Sequence, residues 1–194
     1  METERFEALI DAILAIIITI IVMEIPLPQT TTLPALLKLY PDFIAYTISF
    51  IICFDVWNYH HNLFAIANKL DSTITWTSAI SMMIIGLLPH ATIMLATNFH
   101  SFTAQAMFGF IFFLTNINFY LVDILLIKKD KANIALKVLL ENTKQNTIFT
   151  TILYIIGYII GYLYYPPTIM IMCIIAITIG FIPKKTKKKL KLPL

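Results

Sequence analysis

Long apolar runs, separated by short polar segments, dominate the chain. A membrane-spanning helix needs about 20 mostly apolar residues, and six segments of the sequence come close to that length. We predict spanning helices over residues 5–25, 41–64, 73–97, 103–127, 147–165 and 167–182. The runs lack the alternating pattern of barrel strands, and a helix satisfies its own backbone groups in lipid. The predicted fold is therefore an all-α, polytopic membrane domain over residues 1–194, with six transmembrane helices.

The composition agrees with this pattern. Of the 194 residues, 59% are hydrophobic and only 13% are charged, whereas soluble domains carry about 25% charged residues. The mean hydropathy is +0.82, so lipid must solvate most of the surface. The first apolar run, residues 8–25, is longer than the ~7–15 residues of a signal-peptide core and contains Asp11. We therefore interpret it as a spanning helix rather than a cleaved leader.

The basic residues predict the orientation. If the N-terminus is cytoplasmic, the inner segments hold 13 of the 14 lysines and arginines, and the outer loops hold only Lys38. This asymmetry follows the positive-inside rule. We predict that both termini lie in the cytoplasm, that residues 128–146 form a cytoplasmic linker, and that the protein resides in the cell membrane. The basic tail, residues 183–194 with lysines from Lys184 to Lys191, is expected to lie against anionic lipid headgroups.

The first span has two distinct faces. At 100° per residue, Ile16, Ile20 and Met23 fall within about 60° of one another, and Thr19 lies beside Ile16. Asp11 lies about 140° from Ile16, almost on the opposite face. The helix also carries a strip of small residues that permits close helix approach, Ala8, Ala12 and Ala15. Periodicity alone favours the simpler interpretation, in which the aliphatic stripe meets lipid or other helices.

Polar groups inside spans are costly and need a partner or a function. Several such groups lie within about 6–9 Å of the inner ends of their helices, at 1.5 Å per residue. We predict a buried hydrogen-bond network formed by Arg5, Asp11, Trp57, His60, His61 and Ser78. The paired histidines leave a proton relay open, but they lack further ligands at the spacing of a metal site. The two cysteines also lack any partner spacing.

The residues of the first three spans resemble those of a known family. The first span matches its Arg-x-x-x-Phe-Ser-Asp signature through Arg5 and Asp11, with Leu9-Ile10 in place of Phe-Ser, followed by Ala15-Ile16 and Thr19. The second span reads Ser49-Phe50, then Trp-Asn-Tyr-His-His-Asn-Leu-Phe over residues 57–64, and the third contains Gly86-Leu-Leu-Pro89. On residues 5–100, the chain resembles prokaryotic members of the transmembrane protein 175 (endolysosomal-type) potassium channel family.

The resemblance implies a potassium-selective channel, built as a homotetramer of six-helix subunits with the first helix lining the pore. In such a channel, rings of Ile16, Ile20 and Met23 would form the constriction, and Ile16 and Thr19 would contribute to selectivity. Asp11 would belong to the scaffold. The family has no carbonyl selectivity filter, and no Thr-Val-Gly-Tyr-Gly filter sequence occurs in the chain.

Two other readings stay open at this point. The first is a proton-linked cation transporter or proton-permeable channel that uses Asp11, Asp55, His60 and His61. The second is a membrane scaffold without transport. No motif of a phosphate loop, a hydrolase or a zinc protease occurs in the sequence. We therefore expect neither enzymatic activity nor a cofactor, a metal or a nucleic-acid partner, and expect K⁺ as the permeant ion.

Overall fold

The fold consists entirely of α-helices in the part of the chain that the computed structural model describes, residues 3–67 and 71–181. This confirms the predicted all-α class. Lys69 and the basic tail with Lys184–Lys191 lie outside the described residues. The helices are α1 (Thr3–Met23), α2 (Leu33–Leu37), α3 (Tyr40–Ile66), α4 (Ser72–Ile85), α5 (Leu88–Thr97), α6 (Phe102–Lys129), α7 (Ile134–Leu163) and α8 (Thr168–Phe181).

Four segments are long and apolar enough to cross a membrane, judged by length and composition alone. They are Glu4–Met23, Ser72–Thr97, Phe102–Lys129 and Ile134–Leu163. The helix α8 is apolar but shorter, and α3 has 27 residues with a polar C-terminal half. These findings support a multi-pass membrane protein, while the count of six spans remains a prediction.

The third predicted span is interrupted. Instead of one helix over residues 73–97, the chain forms α4 and α5, with Gly86 and Leu87 between them. Pro89 lies in the first turn of α5. Proline has no N–H to donate to the carbonyl four residues earlier, and its ring clashes with that carbonyl, so the helix is broken before this point. The backbone N–H of Leu87 turns back to the carbonyl of Ile84 at 3.1 Å.

The cytoplasmic linker expected over residues 128–146 is much shorter than predicted. Helix α6 extends to Lys129 and α7 begins at Ile134, so only four residues connect them. Asn133 caps α7, because its side-chain oxygen accepts a hydrogen bond from the backbone N–H of Leu136 at 3.2 Å. The segment that follows consists largely of good helix formers, which extend α7 well beyond the apolar run.

The helices pack in two groups around α3 and α6. Helix α1 packs mainly on α3, with further contacts to α5 and α4, whereas α4, α7 and α8 pack on α6. Ile169 of α8 fits against glycines of α6 and α7: a Cβ atom on Gly109 would lie 2.6 Å from Ile169, and one on Gly161 would lie 3.0 Å away. The absence of these side chains lets the three helices approach closely.

Two interactions hold the ends of four helices at one level, on one side of the bundle. Lys129, at the end of α6, forms an ion pair with Asp71, the N-cap of α4. The side-chain amide of Asn133, before α7, donates to the carbonyl of Ile66 at the end of α3 at 3.0 Å. The lower ends of α3, α4, α6 and α7 therefore define a common reference level for depth.

Candidate ion pathway

The sequence of α1 divides the helix into a buried face and an exposed face. Five apolar residues spaced by three or four positions pack into the core and are at most 5% exposed: Phe6, Ile10, Leu14, Ile17 and Ile21. This spacing places one apolar stripe along a helix, which α3 and α5 cover. The remaining half of α1 has no cover within the chain.

The stripe predicted to line the pore lies on that uncovered half. Ile16 is 59% exposed, Ile20 is 41% exposed and Met23 is 82% exposed. The rest of the single chain therefore covers these three side chains only in part. Their exposure requires lipid, or other copies of the chain, as the neighbour.

Thr19 is also exposed and lies one turn above Ile16. Its hydroxyl donates to the carbonyl of Ile16 at 2.7 Å. Since the hydroxyl has only one hydrogen, its remaining lone pairs are acceptors on the open side of the helix. Such an oxygen can contact a cation that passes along this face.

Asp11 does not meet the other members of the predicted network. It is exposed on α1 and forms no hydrogen bond or ion pair with any described residue of the chain. The buried stripe of α1 explains this, because Asp11 follows Ile10 by one residue and so turns about 100° away from the core. Arg5 is likewise exposed, without a partner within residues 3–67 and 71–181. The single chain therefore does not bring Asp11 to His60 and Ser78.

His60 and Ser78 are both buried, at 1% and 0% exposure. The Nδ1 atom of His60 lies 2.9 Å from the carbonyl of Val56 on its own helix, so Nδ1–H is the donor in this contact. Nε2 of His60 and Oγ of Ser78 have no hydrogen-bond partner among the described residues. Buried polar atoms in this state need a partner from elsewhere, such as water.

His61 contacts a residue that sequence reasoning missed. Its Nδ1 atom lies 3.1 Å from Oε1 of Glu7 on α1. Its ring stacks on Trp57 at a centroid distance of 5.1 Å. The pairing links the N-terminal part of α1 to the C-terminal part of α3. Glu7 occupies one of the three unspecified positions of the signature, between Arg5 and Leu9, so the signature gave no signal for it.

A second buried polar cluster lies between α3 and α6. The hydroxyl of Tyr59 lies 2.8 Å from Oδ1 of Asp123 and 2.9 Å from the carbonyl of Phe119. Asp123 is 1% exposed, and its second oxygen has no partner among the described residues. Lys129, near Asp123 in the sequence, is not its partner, because Lys129 pairs with Asp71.

The positions of the potential metal ligands and of the cysteines bear on whether the described residues form a metal site or a disulfide. Within residues 3–67 and 71–181, no group of three histidine, cysteine or acidic side chains is placed to hold a metal ion. The two cysteines, Cys53 of α3 and Cys173 of α8, are both free and buried.

Comparison with known proteins identifies relatives. The family model described as endosomal/lysosomal potassium channel TMEM175 matches residues 5–89. A potassium channel from Chryseobacterium sp. (strain P1-3) is 32% identical over 137 residues, which cover 71% of this chain and 71% of that protein. A potassium channel from Chamaesiphon minutus (strain ATCC 27169 / PCC 6605) is 32% identical over 101 residues, 49% of this chain and 50% of that protein.

A solved structure shares the fold. The crystal structure of a lysosomal potassium-selective channel TMEM175 homolog from Chamaesiphon minutus superposes with a TM-score of 0.76. The match covers 91% of this chain and 95% of that chain, at 22% sequence identity. Similarity at this level of identity establishes a shared fold.

Proposed function

Since the chain belongs to the family of the endosomal/lysosomal potassium channel TMEM175, we propose that it is a potassium-selective channel of the cell membrane. The family is one of ion channels rather than enzymes. The permeant ion would be K⁺, and the proposed mechanism needs no cofactor. The observation that carries the proposal is the exposed apolar stripe of α1, on a helix that is otherwise well packed.

The proposed channel is a homotetramer of six-helix subunits, in which four copies of α1 surround a central axis. Assembly around an axis explains why half of α1 lacks cover in the single chain. A closed ring also gives every copy the same environment, as expected for a symmetric homo-oligomer. The small-residue strip of Ala8, Ala12 and Ala15 lies beside the exposed stripe and would permit close approach of neighbouring copies.

The constriction would consist of rings of Ile16, Ile20 and Met23. A narrow apolar ring excludes water in its closed state and forces an ion to lose hydration as it passes. The Thr19 oxygen beside the Ile16 ring would then offer polar contacts in place of water. K⁺ is favoured over Na⁺ at such a site because it holds its hydration shell less tightly. Asp11 would contact a neighbouring copy rather than the ion path.

The proposed orientation places both termini in the cytoplasm, with the residue 183–194 tail at the inner membrane surface. It rests on the distribution of basic residues. The inner level of the bundle would then be the one that the Lys129–Asp71 pair defines.

The alternative of a proton-linked transporter has less support. Its four candidate groups do not form a connected relay in the single chain. His61 pairs with Glu7, His60 bonds its own helix, and Asp11 and Asp55 have no partner among the described residues. A relay requires groups within hydrogen-bond reach or joined by ordered water.

The test is ion flux through purified protein in liposomes, measured for K⁺ and Na⁺ with and without a pH gradient. In Ile16→Asn, a polar side chain of similar size should wet the constriction. A barrier lowered by about 1.4 kcal/mol corresponds to a tenfold faster flux, and we expect a rise of that order together with a reduced preference for K⁺. Ile18→Asn is the control, since Ile18 packs against the core and faces away from the stripe.

Two outcomes contradict the proposal. If Ile16→Asn and Ile18→Asn change flux alike, or if Ile16→Asn conducts like the unmodified protein, α1 does not line the path. If flux needs a pH gradient and is abolished by replacing His60 or His61, the transporter reading is correct instead.

A further inference from the structure

The N-terminal part of α1 meets α3 at two points. Phe6, which is 3% exposed, contacts Phe64 edge-to-face at a ring-centroid distance of 5.8 Å. The next residue, Glu7, reaches His61, whose Nδ1 atom lies 3.1 Å from Oε1 of the carboxylate. His61 and Phe64 are three residues apart and therefore neighbours on one side of α3. One buried apolar contact and one partly exposed polar contact thus hold the same turn of α1.

The polar contact differs in kind from the rest of the packing of α1. The apolar stripe decides which face of α1 meets the core, but apolar contacts have no preferred direction. In residues 3–67 and 71–181, the contact between Glu7 and His61 is the side-chain hydrogen bond that joins α1 to another helix, whereas the Thr19 hydroxyl bonds α1 itself. A hydrogen bond weakens steeply when its angle changes. This contact therefore restricts the small rotations that the apolar stripe leaves open.

His61 is fixed well enough to act as the stationary partner. Its ring lies almost parallel to that of Trp57, at a centroid distance of 5.1 Å and an angle of 9°. Trp57 in turn stacks on Phe54, at 5.5 Å and 30°. The stacking holds the plane of the imidazole, and thereby the direction of Nδ1. We place the hydrogen on Nδ1, because an ionised carboxylate can only accept.

Glu7 lies behind the stripe that we propose to line the pore. Ile16 follows it by nine residues, which at 100° per residue is about 180° around the helix and about 14 Å along its axis. A change in the way Glu7 sits on α3 therefore turns or tilts the opposite side of α1. Ile16 is 59% exposed, so the single chain offers little other packing to hold it in place.

We propose that Glu7 and His61 are positioning residues of the channel, a role that rests on the proposed pore function of α1. Their hydrogen bond fixes the fine rotation of α1, and so the orientation of the Ile16 side chains in the constriction. Position 7 needs an oxygen that accepts from Nδ1–H, and the negative charge is secondary. Without the bond, α1 adopts a wider range of rotations. The constriction then has no single width, and discrimination between K⁺ and Na⁺ falls.

The experiment measures K⁺ and Na⁺ flux in liposomes without a pH gradient, using variants that still assemble like the unmodified protein in size-exclusion chromatography. Glu7→Met keeps the length of the side chain and removes both oxygens. We expect it to lower the K⁺ preference about two- to fivefold, the range for loss of one partly exposed pair. Glu7→Gln should keep most of the preference, because its amide oxygen can accept the same hydrogen bond.

A second variant tests the other partner. His61→Phe keeps a ring that can stack on Trp57 but removes Nδ1, so it should lower the K⁺ preference as Glu7→Met does. The double variant should be no worse than either single variant, since both remove the same bond. The matched control is Glu4→Met. Glu4 is an exposed carboxylate in the first turn of the same helix, without a partner on another described helix, so its loss should leave the preference unchanged.

Three results would overturn the inference. Glu7→Met could discriminate like Glu4→Met, Glu7→Gln could lose as much preference as Glu7→Met, or the double variant could show the two single effects combined. Failure of the pore proposal itself looks different, because Ile16→Asn then leaves flux unchanged. If Ile16→Asn raises flux while Glu7→Met matches Glu4→Met, the pore proposal stands and the role of Glu7 and His61 is refuted.

Discussion

The hydrogen bond between Tyr59 and Asp123 predicts that loss of the hydroxyl destabilises the protein more than loss of the carboxylate. In Tyr59→Phe, the ring remains, and so does its stacking on Phe119 at a centroid distance of 3.9 Å. Only the hydroxyl is lost. The carbonyl of Phe119 keeps its bond within helix α6, but Asp123 loses the donor at 2.8 Å from its Oδ1 atom. Because Asp123 is 1% exposed and Oδ2 already lacks a partner, water cannot replace the hydroxyl without entering the bundle.

Removing the other partner, Asp123, should lower the free energy of unfolding by less. In Asp123→Leu, the Tyr59 hydroxyl still has the Phe119 carbonyl at 2.9 Å as an acceptor, so no buried donor is left unpaired. A buried group without its partner costs about 1–3 kcal/mol, although measured values between membrane helices average about 0.6 kcal/mol. We therefore expect Tyr59→Phe to lower the free energy of unfolding by about 1 kcal/mol. Tyr59→Phe combined with Asp123→Leu should be less destabilised than Tyr59→Phe alone.

Thermal unfolding of the purified protein in detergent measures this difference. For a chain of this length, about 1 kcal/mol corresponds to a change in Tm of roughly 2–4 °C. All three variants and the unmodified protein are compared under the same conditions, so that the cycle isolates the coupling between the two side chains. The reasoning fails if Tyr59→Phe unfolds at the original temperature. It also fails if the double variant shows the sum of the two single effects.

Two further predictions concern assembly and orientation. Asp11→Ala should weaken the oligomer, seen as a shift to smaller species in size-exclusion chromatography and a loss of about 1–3 kcal/mol in stability, while the K⁺ preference of the remaining channels is unchanged. A mutant that stays assembled and loses selectivity would place Asp11 in the ion path. Lys131→Cys, in a background without Cys53 and Cys173, should react with impermeant maleimide only from the cytoplasmic side. Labelling of this cysteine from outside intact cells would contradict the proposed topology.

The positions of the helices could be predicted because the signal for them is local. A run of about 20 apolar residues predicts a helix in lipid whatever its neighbours are, and the described helices overlap all six predicted segments. Where the helix bounds differ from the predicted ones, the cause is also local, but the length of an apolar run does not reveal it. Pro89 divides the third segment, and the helix-forming residues after Asn133 extend α7 beyond its apolar run.

The partners of the polar side chains could not be predicted in the same way. They depend on how each helix is rotated about its axis and on which helix lies beside it. Depth alone placed Asp11 in one layer with His60 and Ser78, but the rotation of α1 that buries Ile10 turns Asp11 away from them. Likewise, Asp123 bonds Tyr59 from a neighbouring helix rather than the lysines that follow it on its own helix. Opposite charges that lie close in the sequence therefore do not predict the partner of a buried carboxylate when a hydroxyl from another helix lies closer in space.

The departure from the family signature on α1 has a physical explanation in this chain. Ile10 replaces the signature serine and is 1% exposed within the apolar stripe against α3. A serine there would be buried among apolar groups and would need a partner for its hydroxyl. Isoleucine needs none, and it adds apolar area to the one face of α1 that the subunit covers. With isoleucine rather than serine at position 10, this face of α1 packs more apolar area against the core. This packing fixes the rotation of α1 about its axis, and thereby the direction in which Ile16, Ile20 and Met23 point. In the proposed channel, the core side of α1 determines which of its residues face the pore, so substitutions at Ile10 should change ion flux without contacting the ion path.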